Sequence, residues 1–107
     1  MLIAETFKAL GDPTRLKMIE RLSDGSPHTL GSVSKDLGLT RQGARKHLKV
    51  LADAELVKLV PRGRQTAITF KPTALKNANS FIEGIEQQWV NRLQALRAYV
   101  ESNNSEQ

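Results

Sequence analysis

Residues 30–54 read LGSVSKDLGLTRQGARKHLKVLADA, and this stretch decides the fold. Leu30, Val33 and Leu37 recur at helical spacing, which predicts a short helix over about 30–37 with these three turned inward. Gly38 is placed to end that helix in a left-handed conformation, Leu39 fills the turn, and Thr40 can cap a further helix from 41 to about 54. Two helices joined by a tight glycine-containing turn make a helix-turn-helix. In the second of them Ala44, Leu48 and Leu51 point one way, while Gln42, Arg45, Lys46 and Lys49 cover the opposite arc. One face packs, and the other is basic and polar.

Upstream, Leu2, Ile3, Phe7 and Leu10 lie roughly a turn apart and predict a short amphipathic helix. Gly11-Asp12-Pro13 breaks it and starts another, with Asp12 as cap and Pro13 at the first helical position, where its missing N–H had no partner to lose. Leu16, Ile19 and Leu22 form the expected buried face, with Lys17 and Glu20 outside and Ser23 to Pro27 as a turn. Downstream, the period changes from helical to two. Leu56 to Val60 and Gln65 to Phe70 are strand-prone and flank Pro61-Arg62-Gly63-Arg64, where Gly63 can take the positive φ of a hairpin turn. A basic hairpin directly after the fourth helix is a wing. From Thr73 to Val100 helical spacing returns; Ser80 and Glu83 have capping-box spacing, predicting a short turn near 73–76 before a long helix from about 78–80 to 101, with Ser102 to Gln107 frayed.

The chain has 107 residues, 39% hydrophobic and 25% charged, which suits one globular domain spanning 1–107 with the helix-turn-helix at about 30–54 and the wing at about 56–71. The expected class is mainly α with a small β-hairpin: a winged helix-turn-helix of about five helices and a two-stranded wing. Having no cysteine, it can form no disulfide, thiolate metal site or nucleophilic thiol, which fits a reducing cytoplasm. Neither a membrane span nor a signal peptide is legible, so a soluble, cytoplasmic protein with no membrane partner is expected. The net charge of +5 is unevenly placed. From Arg41 to Lys71 eight basic residues face two acids, while the rest of the chain holds eight against nine. The excess belongs to one segment and makes a polyanion the first partner to consider.

A face of this kind suits the major groove, where Arg or Lys can donate to guanine and Gln can bridge adenine. Gln42, Arg45 and Lys46 are assigned to base edges and Lys49 to phosphate, with Thr40, Arg41 and His47 completing the helix's contribution. Arg62 and Arg64 at the wing tip are assigned to minor-groove or phosphate contact, the competing role being protection of an edge strand from pairing. Duplex DNA is preferred over single-stranded RNA because Phe70 is the only aromatic between Arg41 and Lys71, and it is expected inward, leaving no stacking platform.

The chain resembles the ArsR/SmtB-type winged-helix repressors of bacteria. The residues that carry this are Ala9-Leu10-Gly11-Asp12-Pro13-Thr14-Arg15-Leu16, Leu37-Gly38-Leu39-Thr40-Arg41-Gln42, Lys46-His47-Leu48-Lys49-Val50-Leu51 and Ala54-Glu55-Leu56-Val57. Glu55 departs from the glycine the family commonly has there, which bears on the helix-to-wing turn and not on the fold. The resemblance implies a homodimeric repressor in which the first and last helices of both subunits pack together and two recognition helices meet an inverted repeat, with half-sites about 34–36 Å apart. Independently, Phe81, Ile85, Trp89, Leu93 and Leu96 are more apolar surface than a terminal helix needs to dock on so small a body, and Leu2, Ile3 and Phe7 could meet them.

Many members of the family release DNA on binding metal through cysteines near the third helix or Asp/His sets on the last. This chain has Thr29-Leu30-Gly31 at the first place and no histidine at the second. His28 is expected to be a surface residue without a partner, His47 structural or phosphate-contacting, and no metal or other cofactor is expected. Trp89-Val90-Asn91-Arg92-Leu93 and Ala95-Leu96-Arg97-Ala98-Tyr99-Val100 bring the resemblance nearer to members without metal and thiol sites, often accompanying START-like proteins. An unknown small-molecule effector, such as an apolar ligand at the dimer interface, and autorepression by protein level both stay open. No catalytic motif is present, so an enzyme is not expected. The principal competing reading is a winged-helix protein-interaction module without specific DNA binding.

Overall fold

A computed structural model describes residues 3–105. Its order is α1 (Ile3–Leu10), α2 (Pro13–Leu22), α3 (Leu30–Ser34), α4 (Arg41–Asp53), β1 (Val57–Arg62), β2 (Gln65–Phe70) and α5 (Thr73–Ser105). This is a winged helix-turn-helix: five helices and one antiparallel hairpin. Each helix start is explained locally. Asp12 accepts the Arg15 N–H at 3.0 Å ahead of Pro13, Thr29 and Ser32 form a capping box, and Thr40 accepts the Gly43 N–H at 3.0 Å.

The core joins Met18, Ile19 and Leu22 of α2, Val33 of α3, Ala44, Leu48 and Leu51 of α4, Leu56, Val57 and Ile68 around the hairpin, and Ala74 of α5. Two elements differ from their periodicity. On α2 the buried residue is Met18, at 0% exposure, whereas Leu16 is 51% exposed. The reason lies in where the neighbours stand: α2 is clasped by α1, α3, α4 and β2, and that enclosure takes in Met18, Ile19 and Leu22 rather than the Leu16 flank. The third helix stops at Ser34 instead of Leu37, because Lys35 turns extended (φ −57, ψ 130) and Asp36 takes a left-handed φ of 60. Leu37 still packs half-buried against the core, and Gly38 adopts φ 70.

The turn therefore needs two left-handed residues in three, one of them without a Cβ. Gly38→Ala is expected to cost about 1–2 kcal/mol in urea denaturation, since a side chain there gains nothing within 4 Å to offset the strain. A loss below a few tenths would mean that the turn relaxes to another conformation.

The end of α4 explains the residue at which the chain departs from the family. The Leu56 N–H reaches the Leu51 carbonyl at 2.9 Å and the Glu55 N–H the Ala52 carbonyl at 3.0 Å, the paired bonds of a Schellman cap. Such a cap puts its first residue beyond the helix in the left-handed region, and Glu55 holds φ 61. Lys71 Nζ, 3.1 Å from Glu55 Oε2, gives the side chain a partner that a glycine would lack.

The wing lies within the expected 56–71, but its first strand runs further into the turn than expected. β1 continues through Pro61 and Arg62, which face Thr66 and Gln65, so the turn shrinks to Gly63-Arg64, with Gly63 at φ 61. Proline is tolerated because β1 has an open outer edge where no N–H is required. On the other side His28 exchanges backbone bonds with Ile68 at 2.9 and 2.8 Å, fastening the α2–α3 loop to the hairpin. His28 is thus partnered, contrary to expectation: its ring also lies 3.1 Å from Asp24 and 3.2 Å from Ser32. The Ser26 N–H and then the His28 ring hold the Asp24 carboxyl below its ordinary range.

The last helix is one uninterrupted rod. No break occurs at Ser80, whose capping box does not form; Asn79 Nδ2 donates to Glu83 at 3.0 Å instead, and the helix starts right after Pro72. It also runs on through residues 102–105 rather than fraying there. Thirty-three residues make about 50 Å of helix, which accounts for overall extents of 77 × 25 × 22 Å. Ala74 and Ala78 are buried against the body, but every residue from Asn79 to Asn104 is exposed. At 100° per residue the arc holding Ala74 and Ala78 also holds Phe81, Ile85, Trp89, Leu93, Leu96 and Val100, interrupted by Arg92. One apolar stripe is thus covered for its first two turns and bare for the next five.

Candidate nucleic-acid interface

The recognition face is built by the core residues behind it. Ala44, Leu48 and Leu51 anchor α4, and this rotation leaves Arg41, Gln42, Arg45, Lys46 and Lys49 exposed on the outer surface. Thr40 is also exposed, though its hydroxyl is engaged in the cap. At the wing, Arg62 and Arg64 are both exposed, but they border different clefts. Arg64 borders the same cleft as Arg41 and Arg45 of α4, whereas Arg62 borders a smaller one with Pro27, His28 and Thr29. Helix and wing therefore present one continuous cationic surface, with Arg62 on its flank.

His47 stands apart from this face. It is half-buried, with Nδ1 3.1 Å from Arg15 Nη1 and 4.0 Å from Asp12 Oδ2. A guanidinium can only donate, so Nδ1 accepts and the neutral ring carries its proton on Nε2. Arg15 in turn donates through Nε to the Ala9 carbonyl at 2.6 Å and through Nη2 to the Lys8 carbonyl at 3.4 Å, so one side chain ties the end of α1 to the recognition helix. The Arg15 N–H, donated to Asp12, is the main reason that carboxyl sits below its ordinary range. A lowered carboxyl stabilises the fold above the unfolded-state value and loses that contribution as pH falls through the folded one, so this junction weakens only in acid. Arg21 does similar work for α3: its Nη1 donates to the carbonyls of Val33 at 3.1 Å and Lys35 at 2.7 Å, holding a five-residue helix whose end would otherwise be open.

A helix-turn-helix domain family matches residues 10–60. YuzN of Bacillus subtilis, named an HTH-type transcriptional regulator, is 40% identical over 66% of this chain and 84% of its own. The HTH-type transcriptional regulator Rv2034 of Mycobacterium tuberculosis is 33% identical over 94% and 87%. A solved ArsR-like transcriptional regulator from Rhodococcus sp. RHA1 superposes with a TM-score of 0.74 at 30% identity, covering 88% of each chain. The chain belongs to the ArsR/SmtB family of winged-helix regulators. This ArsR-family protein is accordingly a DNA-binding transcriptional regulator.

Within the regulator, the residues singled out for self-association lie on two elements. Phe7 of α1 packs on Phe81 of α5 within one chain, with ring centroids 6.0 Å apart, and Ile3 is half-buried. Ile85, Trp89, Leu93 and Leu96 lie bare on the rod. Leu2 falls outside the described residues. Sequence reasoning missed the supporting roles of Arg15 and Arg21, because a guanidinium that satisfies distant carbonyls leaves no periodic mark. Among the described residues, no three of His, Cys, Asp and Glu gather as metal ligands, and no helix is long and apolar enough to cross a membrane.

Proposed function

We propose that the chain is a homodimeric repressor that binds an inverted repeat in duplex DNA, without catalytic activity and in the cytoplasm where that DNA lies. The observation that carries this reading is the joint exposure of α4 and wing cations on one surface, together with an α5 stripe left uncovered by its own subunit. Two copies joined through α5 and α1 by Ile3, Phe7, Phe81, Ile85, Trp89, Leu93 and Leu96 would present two recognition helices to successive major grooves about 34–36 Å apart. Gln42, Arg45 and Lys46 read base edges, while Thr40, Arg41, Lys49, Arg62 and Arg64 contact phosphates or the minor groove. His47 serves through Arg15 as a positioning residue and has Nε2–H left for a phosphate. Occupied operator blocks transcription sterically.

The primary test is binding of the purified protein to duplex fragments from the promoter region of its own gene, against random duplex, at several salt concentrations. Saturable preference for one fragment supports the proposal; equal, steeply salt-dependent binding to all would show a basic surface without that target, and no binding at low salt would favour a protein-interaction module. Two substitutions resolve the roles. Lys49→Ala should weaken all duplexes alike and reduce the salt slope by about one unit. Gln42→Ala should cost about 1–3 kcal/mol on the preferred site and little on random DNA. Equal losses on both would remove Gln42 from base reading.

A further inference from the structure

The cleft between α4, α3 and the wing has a composition that DNA contact alone does not explain. Its volume is about 660 Å³, within the range of small-molecule sites, roughly 300–1,000 Å³. Arg41, Arg45 and Arg64 line it, and it contains no acidic residue. None of the three guanidinium groups has a hydrogen-bond or ion-pair partner among the described residues. The rest of the lining is uncharged, and five of its members are large aliphatics. Leu48 and Ile68 belong to the core, Leu30 and Leu39 are half-buried, and Leu59, which faces Ile68 across the hairpin, is 40% exposed. A phosphodiester strand could use the arginines, but its apolar parts, sugar faces and single thymine methyls, are too small to cover a wall of five large aliphatic side chains. An occupant that satisfies both needs an anionic head and an apolar body of several carbons.

The geometry points to this cleft as an effector site for a small amphipathic anion, of the medium-chain carboxylate class, whose head takes Arg41, Arg45 and Arg64 and whose chain covers Leu30, Leu39 and Leu59. The regulatory half of this inference rests on the DNA-binding reading, because ligand and DNA then need the same three arginines and exclude one another. By linkage, each lowers the other's affinity by the same factor. Gly31 lines the cleft too, and a Cβ there would meet nothing nearer than Thr29 Oγ1 at 3.8 Å. A larger side chain at this position fills the cleft while leaving every assigned DNA contact in place.

The test is calorimetric titration of the full chain with sodium decanoate, against butyrate (the charge without the chain), inorganic phosphate, and decyltrimethylammonium (the chain with the opposite charge). One decanoate per subunit should bind saturably, with the three controls weaker by about tenfold or more. Gly31→Leu should lose about tenfold or more in decanoate affinity, and Leu59→Asn, on an exposed strand position where folding is not at stake, should do likewise. Saturating decanoate should weaken random duplex binding to wild type by about tenfold, while Gly31→Leu binds duplex within about threefold of wild type and no longer responds. Equal decanoate affinity in wild type and both variants would place the chain elsewhere, such as the bare α5 stripe, and overturn the site. So would equal binding of decyltrimethylammonium, or simultaneous binding of decanoate and duplex. A protein that binds duplex but no decanoate overturns the effector site alone. One that binds decanoate in the cleft but no duplex at any salt overturns the DNA reading and leaves the site standing.

Discussion

Trp89→Asp is expected to yield a monomer in sedimentation velocity at concentrations where the wild-type chain is a dimer. Trp89 is 60% exposed in the single subunit and lies at the middle of the bare part of the α5 stripe, flanked one turn away by Ile85 and Leu93. Exposed apolar residues are ordinary one at a time, but an arc of them along five turns of helix, broken only by Arg92, is not. Trp89→Asp removes the largest side chain of the stripe and puts a carboxylate at its centre. Even with Arg92 one turn along the same arc as a partner, desolvating that charge in the interface costs more than the pairing returns, enough to dissociate the pair. The loss should carry through to DNA. Two recognition helices on one dimer bind a palindrome with an avidity that exceeds single-site affinity by roughly 10²–10⁴, so operator binding should fall by that order while random duplex binding falls less. Gln94→Asp, on the opposite side of the same helix, controls for charge and helix propensity and should remain a dimer. Because Trp89 is the only tryptophan, its emission also reports the event directly, shifting to longer wavelength as wild type is diluted through its dissociation constant. A Trp89→Asp protein that stays dimeric would move the interface off α5.

What was legible in the sequence, and what was not, follows from the physics of each signal. The recognition helix was legible because one helix face must be apolar and the other must not: Ala44, Leu48 and Leu51 are buried and Gln42, Arg45, Lys46 and Lys49 exposed, as their spacing requires. The caps at Asp12 and Thr40 were legible because they are local hydrogen bonds. Ser80 misled for the same reason. Its capping-box spacing is real, but a capping side chain competes with the helix only where the backbone is already free to leave it, and here helical N–H and carbonyl groups pair straight through. Longer-range devices were out of reach. The bond from Arg15 to His47 spans 32 residues, and the bridge from His28 to Ile68 depends on where the hairpin folds back. The cleft shared by Arg41, Arg45 and Arg64 likewise exists only once the wing has been placed beside α4.

The second helix supplies the sharpest contrast between pattern and packing, and it sets the second large effect. Periodicity alone makes Leu16, Ile19 and Leu22 equivalent, so it predicts that truncating Leu16 empties the core. In the fold Leu16 keeps half its surface in water, while Met18 is wholly enclosed among the largest buried side chains. Met18→Ala should therefore destabilise the protein by about 2–5 kcal/mol, the sum of lost transfer energy and an unfilled cavity. Leu16→Ala should cost less than about 1 kcal/mol, since little apolar surface is returned to water and no cavity is left. Urea denaturation of both variants at one protein concentration, with unchanged slopes, measures the difference. A domain of this size has only about 5–15 kcal/mol to lose, so Met18→Ala should also lower the melting temperature by roughly 8–20 °C or more. Equal costs at the two positions would mean that α2 is rotated from its described orientation. Because Arg15 rides on the same helix and reaches His47, such a rotation would also break the link between α1 and the recognition helix, and the geometry assigned to the DNA-binding face would have to be rebuilt from α2 outward.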